Sequence, residues 1–591
     1  MKFQYKKAPA LNEYTTTAGA DHSDLARKTI AKDIPCQNAC PALTNVPKYI
    51  EAIFEKDTQT AFEINQECNV FSGGLGRICT RPCEDACRHE WTNTQGPVTI
   101  CHLKRFASDN LKSQAKPLEP LFDKSGKRTA VIGGGPAGLA LARELKRFGH
   151  EVDLFEKNDH LGGMMMDGIP RFRLPADVVQ QDIALITASG INVFLNQPVV
   201  GRDIKKLLKN YDAVCVATGT TLPNKSEIGE ISEEHLTDGL KFMRDYNDGT
   251  ITKLNGDVII VGGGFTAIDC ARACARAARR LLGEEGNISI FYRRSEQFLA
   301  ADLKEREEMI RENINIRTLV TPISATSKEG QVTSATFRRN RLVKQGAEGK
   351  PTIVPLEDSD FTVPCSHLVM AIGQSQDWSI LPPKTKLKKN HATSVKGLFV
   401  AGDFESGSKD VIHAVGSAKI ASKAIDTFLM GRDRFETFVQ VETCDNDGYT
   451  GRVRDHDMII PSQMPLLPMA QRAYENREVE TGLQSEDGFL NAGRCYLCHH
   501  KFEIDNDKCI HCEWCIDVAP RECIKKVSRV FQDGDGVVTD VVEANLAHEA
   551  TYIWIDSDQC VRCGQCLRMC PTEAISMKKV ELITCPQKSP G

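Results

Sequence analysis

The residues Cys560-x2-Cys563-x2-Cys566-x3-Cys570-Pro571 carry the sharpest chemical signal in the chain. Thiolates are soft, anionic ligands suited to iron–sulfur clusters. In the two-cluster arrangement with this spacing, three cysteines hold one [4Fe–4S] cluster and the fourth crosses to the other. An earlier run, Cys509-x2-Cys512-x2-Cys515-x3-Ala519-Pro520-x2-Cys523, has alanine where its crossing cysteine belongs. Cys509, Cys512, Cys515 and Cys570 therefore complete one cluster, and Cys560, Cys563 and Cys566 are left one ligand short. Cys523 lies four residues beyond Ala519. On a helix it would share a face with that position and supply the missing thiolate, or else it packs as a thiol beside the cluster. Cys495-x2-Cys498 is another candidate pair, and a three-cysteine [3Fe–4S] centre is a further arrangement.

Two other stretches read as dinucleotide turns. In the first, the apolar run Thr129–Ile132 leads into Gly133-Gly-Gly135-Pro-Ala-Gly138, a helix over Leu139–Phe148, and a strand over Val152–Phe155 that ends in Glu156. Gly133 permits the tight turn, Gly135 lets the backbone approach a pyrophosphate, and Gly138 lets helix and strand pack closely. The phosphate sits on the helix N-terminus, and Glu156 accepts a hydrogen bond from a ribose 2′-hydroxyl. In the second, Val258–Val261 leads into Gly262-Gly-Gly264-Phe-Thr-Ala267, a helix over Ala267–Leu282 and a strand over Ile288–Tyr292. There the acid is replaced by Arg293 and Arg294, which can pair with a 2′-phosphate and so favour NADP(H) over NAD(H); solvated arginines are the plainer alternative. Val214–Gly219 and Leu368–Gly373 are strands ending in glycine. Gly397–Asp403 is a strand ending in Gly402-Asp403, before a helix near Ala414–Leu429. Asp403 is placed to hydrogen-bond a flavin ribityl chain, so the first turn is assigned to FAD and the nicotinamide fold is inserted into the flavin fold.

Gly162-Gly163-Met164, the run Gly168-Ile-Pro-Arg-Phe-Arg173-Leu-Pro175, Gly262–Ala267, Tyr292-Arg293-Arg294 and Gly402-Asp403 together resemble the glutamate synthase β-subunit-like family of NAD(P)H oxidoreductases over about residues 36–430. The resemblance implies a hydride-accepting FAD, a nicotinamide site near it and an N-terminal iron–sulfur domain, with Gly163 and Arg173 as further cofactor contacts. The N-terminal cysteines are Cys36-x3-Cys40-Pro41 and Cys79-x3-Cys83-x3-Cys87. By resemblance Cys40, Cys79 and Cys83 share a cluster, with Cys101 in the position the family fills from the segment matching Val98–Phe106. Cys36 and Cys87 then lie near each other without a full set, because the two cysteines that precede this run in relatives are absent. Cys36, Cys40, Cys83 and Cys87 form an alternative set. One or two N-terminal clusters are expected.

These sites need several domains to hold them, and 591 residues supply three to five. Strands alternate with helices from Arg128 to about Phe428, which argues a parallel α/β architecture. The expected fold class is multidomain α/β: a helical N-terminal iron–sulfur domain, two Rossmann-like domains and a C-terminal ferredoxin-like α+β domain. The expected division is 1–125 N-terminal domain with a mobile tail, 126–250 and 376–430 flavin domain, 251–375 nicotinamide domain, 431–490 a polar linker, and 491–591 a duplicated ferredoxin-like module. The 23 cysteines cluster at the two ends, and Cys215, Cys270, Cys274, Cys365, Cys444 and Cys585 read as packed thiols. A net charge of −5 and the lack of a basic run argue against nucleic-acid binding. No apolar stretch is long enough to span a bilayer, and Met1–Glu13 lacks a secretory h-region, so a cytoplasmic location is expected. The expected function is electron transfer between NAD(P)H and a ferredoxin-type or partner-enzyme acceptor, as a subunit of a larger redox complex. Similar layouts occur in the iron–sulfur flavoprotein that partners dissimilatory sulfite reductase and in reductase subunits of 2-oxoacid:ferredoxin oxidoreductases. The alternatives are a glutamate synthase small subunit and a non-catalytic electron-relay subunit.

Overall fold

The computed structural model describes residues 31, 33–91, 95–225, 236–251, 254–282, 287–300, 303–343, 351–444, 450, 452, 455–474, 477–532, 538–544, 546 and 549–587. The tail expected over the first thirty residues, Met1–Glu13 included, lies outside them. The chain forms two compact units. One comprises Met1–Phe122, Met430–Met464 and Gly482–Gly591, and the other Asp123–Leu429 and Pro465–Thr481.

The first unit opens with short helices: α1 (Pro35–Ala39), α2 (Val46–Phe54), α3 (Thr58–Asn69), α4 (Ser72–Ile78), α5 (Pro82–Asp85) and α6 (Ile100–Asp109). Asn45 and Asp57 cap α2 and α3 by accepting from Lys48 N and Thr60 N. Gly76 permits close crossing of α4 and α6, since a Cβ there would stand 2.7 Å from Arg105 Cα.

The second unit holds two parallel sheets, built from β1 (Arg128–Ile132), α7 (Pro136–Arg147), β2 (Glu151–Phe155), β3 (Asn192–Phe194), β4 (Ala213–Val216), β5 (Thr237–Asp238), β6 (Val258–Val261), α8 (Phe265–Leu282), β7 (Ile288–Tyr292), β8 (Ile314–Thr318), β9 (His367–Met370), β10 (Leu398–Val400) and α9 (Val411–Met430). One sheet runs β10-β4-β1-β2-β3 and the other β5-β9-β6-β7-β8. The central strands β4 and β6 are buried at every position, the pattern of parallel strands covered on both faces. The expected nucleotide strands and helices form, with boundaries within three residues of those expected and Val258–Val261 and Ile288–Tyr292 unshifted. The chain passes from the first sheet to the second near Leu222–Pro223 and returns near Gln374–Ser375, and these two segments pair antiparallel.

The first unit resumes with β11 (Phe435–Thr443), β12 (His500–Ile504), α10 (Trp514–Val518), β13 (Ile524–Gln532), β14 (Val538–Glu543), β15 (Tyr552–Ile555), α11 (Gln565–Met569) and β16 (Ile575–Pro586). They make two antiparallel sheets, β11-β16-β12 and β14-β13-β15. Within the segment expected as a linker, β11 pairs along its whole length with β16. The two cysteine runs enter through matching turns. Cys509 N donates to Asp505 O and Cys560 N to Asp556 O, both at 3.0 Å, and Asp507 N and Asp558 N donate to the side chains of those same aspartates.

Candidate nucleotide and cluster sites

At the first turn β1 ends in Gly133 with φ +106°. The Gly138 position abuts this turn so tightly that a Cβ would fall 1.8 Å from Gly133 O, whereas at Gly135 the nearest atom would be Gly163 Cα at 3.9 Å. Gly163, at φ +49°, lies against Gly135, where a Cβ would meet Gly135 Cα at 3.0 Å. The glycine pair 162–163 is thus the second wall of the turn. Glu156 accepts from Gly134 N at 2.6 Å and Asn158 N at 2.9 Å. A carboxylate has lone pairs beyond these two bonds, so ribose remains within its capacity. Gly402, at φ +66°, closes on α7, with a Cβ there 2.5 Å from Ala137 Cβ, and its N–H donates to Ser417 Oγ at 2.8 Å. The next residue, Asp403, has a buried Oδ1 with no hydrogen-bond partner among the described residues. Burial pushes its carboxyl up to about 6, aided by Asp410 and opposed by Lys409. A buried acceptor without a donor fits a polyol hydroxyl. Gly219 and Gly373, both at positive φ, follow β4 and β9.

At the second turn Gly262 packs under Ala371 O, while nothing stands within 4 Å of a Cβ at Gly264. Ala267 is fully buried. Arg293 is exposed and Arg294 half-buried. Neither has a carboxylate partner among the described residues, and Arg294 Nε is buried without a hydrogen bond. These are donors waiting for an anion.

Arg173 is held by Asp269 on α8 at 2.6 Å and by Glu305 at 3.2 Å. Its neighbour Phe172 lies beneath the Arg276 guanidinium at 3.7 Å. The 168–175 run therefore packs on the helix of the second turn. The spacing of that run alone carried no sign of this contact.

Among the cysteines, Cys40, Cys79, Cys83 and Cys101 surround Lys104. Burial would lower the Lys104 ammonium's pKa, but these four sulfurs raise it overall. Cys101 lies beside both Cys79 and Cys83. Lys104 Nζ also donates to Asn69 Oδ1 at 2.9 Å. Cys509, Cys512, Cys515 and Cys570 form a second group, and Ala574 N donates to Cys570 Sγ at 3.2 Å. In a third, Cys523 lies beside Cys560, Cys563 and Cys566. The thiol of Cys523, and Arg562 beyond it, draw Cys560 toward its thiolate against its burial. Cys523 does not arrive on a helix face, however. Helix α10 ends at Val518, and a short turn at Pro520–Glu522, with Arg521 at φ +62°, carries the chain back to the cluster. Cys215, Cys270, Cys274 and Cys365 are buried away from any such group.

The chain matches the pyridine nucleotide-disulphide oxidoreductase model over residues 127–418, the model of dihydropyrimidine dehydrogenase domain II with its 4Fe–4S cluster over 10–116, and the 4Fe–4S binding domain over 553–576. It is similar to NADP(+)-dependent formate dehydrogenase subunit beta of Moorella thermoacetica, at 32% identity over 79% of this chain and 70% of that one. It is 29% identical to NADPH-Fe(3+) oxidoreductase subunit beta of Geobacter sulfurreducens, over 79% of this chain and 75% of the relative. It is also 29% identical to the glutamate synthase [NADPH] small chain of Azospirillum brasilense, over 69% of this chain and 89% of the relative. The chain belongs to this family of iron–sulfur NAD(P)H oxidoreductases. FAD, a nicotinamide nucleotide and [4Fe–4S] clusters are its cofactors, and the glycine walls, the open approach at Gly264 and the gathered thiols fit them. No helix among the described residues is long and apolar enough to cross a membrane.

Proposed function

We propose that this chain exchanges electrons between NADPH and a ferredoxin-type or partner-enzyme acceptor, as one subunit of a larger redox enzyme of the sulfite reductase or 2-oxoacid oxidoreductase kind. The observation that carries this reading is the pair of complete four-cysteine groups in the C-terminal module, one with Cys570 and one with Cys523. Bound FAD converts between hydride exchange with a nicotinamide and single-electron exchange with clusters. Gly133, Gly135, Gly138, Gly163, Gly219, Gly373 and Gly402 shape the flavin's bed, Glu156 holds its ribose, and Asp403 accepts from its ribityl chain. Gly262, Gly264 and Ala267 admit the nicotinamide nucleotide's pyrophosphate, while Arg293 and Arg294 neutralise a 2′-phosphate. Arg173 fixes α8 to the 168–175 run and so positions the second turn. The domain division expected from the sequence and a cytoplasmic location, where thiols stay reduced, belong to the same proposal. A glutamate synthase small subunit is the alternative, and it leaves the C-terminal cysteine groups without a task.

Anaerobic mixing tests the reading. NADPH is expected to bleach the flavin absorbance and then reduce the clusters, with NADH acting more slowly. Reduction of the flavin and N-terminal clusters but not of the C-terminal clusters would favour the glutamate synthase role, and no bleaching by either nucleotide would refute the proposal.

A further inference from the structure

When Cys40, Cys79, Cys83 and Cys101 gather around Lys104, the N-terminal module has two cysteines left, Cys36 on α1 and Cys87 just past α5. A small cavity lies between them, and its wall is completed by Cys495 and Cys498. The apolar part of the lining includes Ile50 and Ile100. All four cysteines are at most 9% exposed and all are free thiols. We propose that Cys36, Cys87, Cys495 and Cys498 hold a further [4Fe–4S] cluster, in which the Cys495-x2-Cys498 pair takes the place of the two cysteines absent upstream of Cys36. The pair is free for this because Cys523 occupies the vacancy beside Cys560.

The local backbone supports the assignment. In both ferredoxin-type runs the residue two beyond the first cysteine has a positive φ and turns its N–H onto that sulfur: His511 (φ +55°) on Cys509 and Arg562 (φ +60°) on Cys560. Arg81 (φ +64°) does the same for Cys79. Leu497 repeats the device, with φ +51° and its N–H donating to Cys495 Sγ at 3.4 Å. A left-handed leucine is strained by about 1 kcal/mol or more, and such strain gathers at functional sites. N–H donors to cluster sulfurs are also a recognised control on reduction potential.

Separate contacts hold the pair against the N-terminal helices. Buried Arg494 donates to the carbonyls of Pro97, Gln95 and Gly96 at 2.8–3.2 Å. His89 Nε2 meets Arg494 O at 2.8 Å. Beyond Cys498, His499 and His500 bind Glu51 on α2 at 3.2 and 2.9 Å, and buried Lys501 pairs with Asp33 at 3.3 Å. A cluster with four thiolates carries net negative charge, which a buried site must compensate. Arg452 is 3% exposed and interacts with Cys495 and Cys498. Its Nε and Nη2 have no hydrogen-bond partner among the described residues.

The position suits a relay. Helix α1 supplies Cys36 to this group and α5 leads into Cys87, while Cys40 and Cys83 beside them serve the Lys104 group. On the other side Cys498 packs with Val561 and Cys563 of the Cys560 group. The site therefore links the N-terminal cluster to the ferredoxin-type pair, one electron entering as one leaves. On binding, the four thiols release their protons and ligate as thiolates.

The test uses full-length protein purified anaerobically, with iron, sulfide and reduced-state EPR as readouts. Four clusters give about sixteen irons per chain. The double substitution Cys495→Ser/Cys498→Ser is expected to remove about four irons and one EPR component, while Cys585→Ser on β16 removes none. Unchanged iron and spectra in the double variant overturn the proposal. If that variant fails to fold, Cys498→Ser alone, which offers an oxygen ligand, is expected to shift the g-values of one cluster, and an identical spectrum overturns it. The inference rests on the three other cysteine groups only for the total. Should one of those fail, the wild type falls to about twelve irons or fewer, yet the double variant still loses about four.

Discussion

The two nucleotide turns share a scaffold and differ at its ends. After β2 the chain presents Glu156, whose carboxylate is bonded back onto the glycine turn at Gly134. After β7 it presents Arg293 and Arg294, without a carboxylate partner among the described residues. The first turn is also walled by Gly163 and Gly402, while the second is open at Gly264. Under the proposed function, this contrast separates a turn that retains its nucleotide from one that exchanges it. The proposed roles, an acid for ribose hydroxyls and arginines for a 2′-phosphate, would follow the same division between a resident group and a substrate.

The largest expected effect comes from Gly138→Ala. The added methyl would fall 1.8 Å from Gly133 O, so α7 must move off β1, at a cost on the order of 3 kcal/mol. The protein is expected to purify without FAD, as read from its absorbance spectrum. Gly264→Ala meets no atom within 4 Å. It should fold and keep FAD while the KM for NADPH rises roughly 10-fold, because the methyl occupies the pyrophosphate's approach. Equal effects of these two substitutions would break the contrast. Arg293→Ala/Arg294→Ala should raise the KM for NADPH by about 10–100-fold, since the charge-assisted contacts to a 2′-phosphate contribute about 1.5–3 kcal/mol in all; the KM for NADH should change little. A uniform loss with both nucleotides would mean that these arginines do not read the 2′-phosphate. Glu156→Gln should weaken FAD retention about 10-fold in equilibrium dialysis and leave the KM for NADPH unaltered.

The smallest effect is pH-dependent and concerns Asp403. In the flavin-free protein its carboxyl keeps its proton to about pH 6, whereas in the unfolded chain it is lost near pH 4. Between those values the folded state binds more protons, so stability falls as pH rises, and the penalty is complete above about pH 6. Asp403→Asn should therefore raise the melting temperature of the flavin-free protein by a few degrees at pH 7.5, with the two proteins converging toward pH 4.

The second unit was the more legible in the sequence because its determinants are local. An apolar run, a glycine turn and a helix stand next to one another, so Gly133 and Gly262 announce their own surroundings. The first unit is assembled from distant segments. Strand β11 lies in a stretch that reads as linker, because its run Phe435–Val441 shows no clean two-residue alternation and its partner is the final strand of the described chain. The helical argument for Cys523 reached the right neighbours by the wrong path, since Pro520 ends the helix before it. Nothing in the spacing of Cys495 and Cys498 said that they would face Cys36, because that contact depends on pairings such as Lys501 with Asp33, 468 residues apart.

Those long-range pairings constrain how the protein is made. The segments that carry Cys36 and Cys87 are synthesised well before Lys501, Glu581 and the strand β16. At about 5–20 residues per second, the N-terminal helices wait roughly half a minute to two minutes for them. Until then Asp33 lacks its buried lysine and Lys48 its contact with Glu581. The N-terminal cysteines therefore stay open to metal and oxidant until these later segments arrive to close the module around its iron.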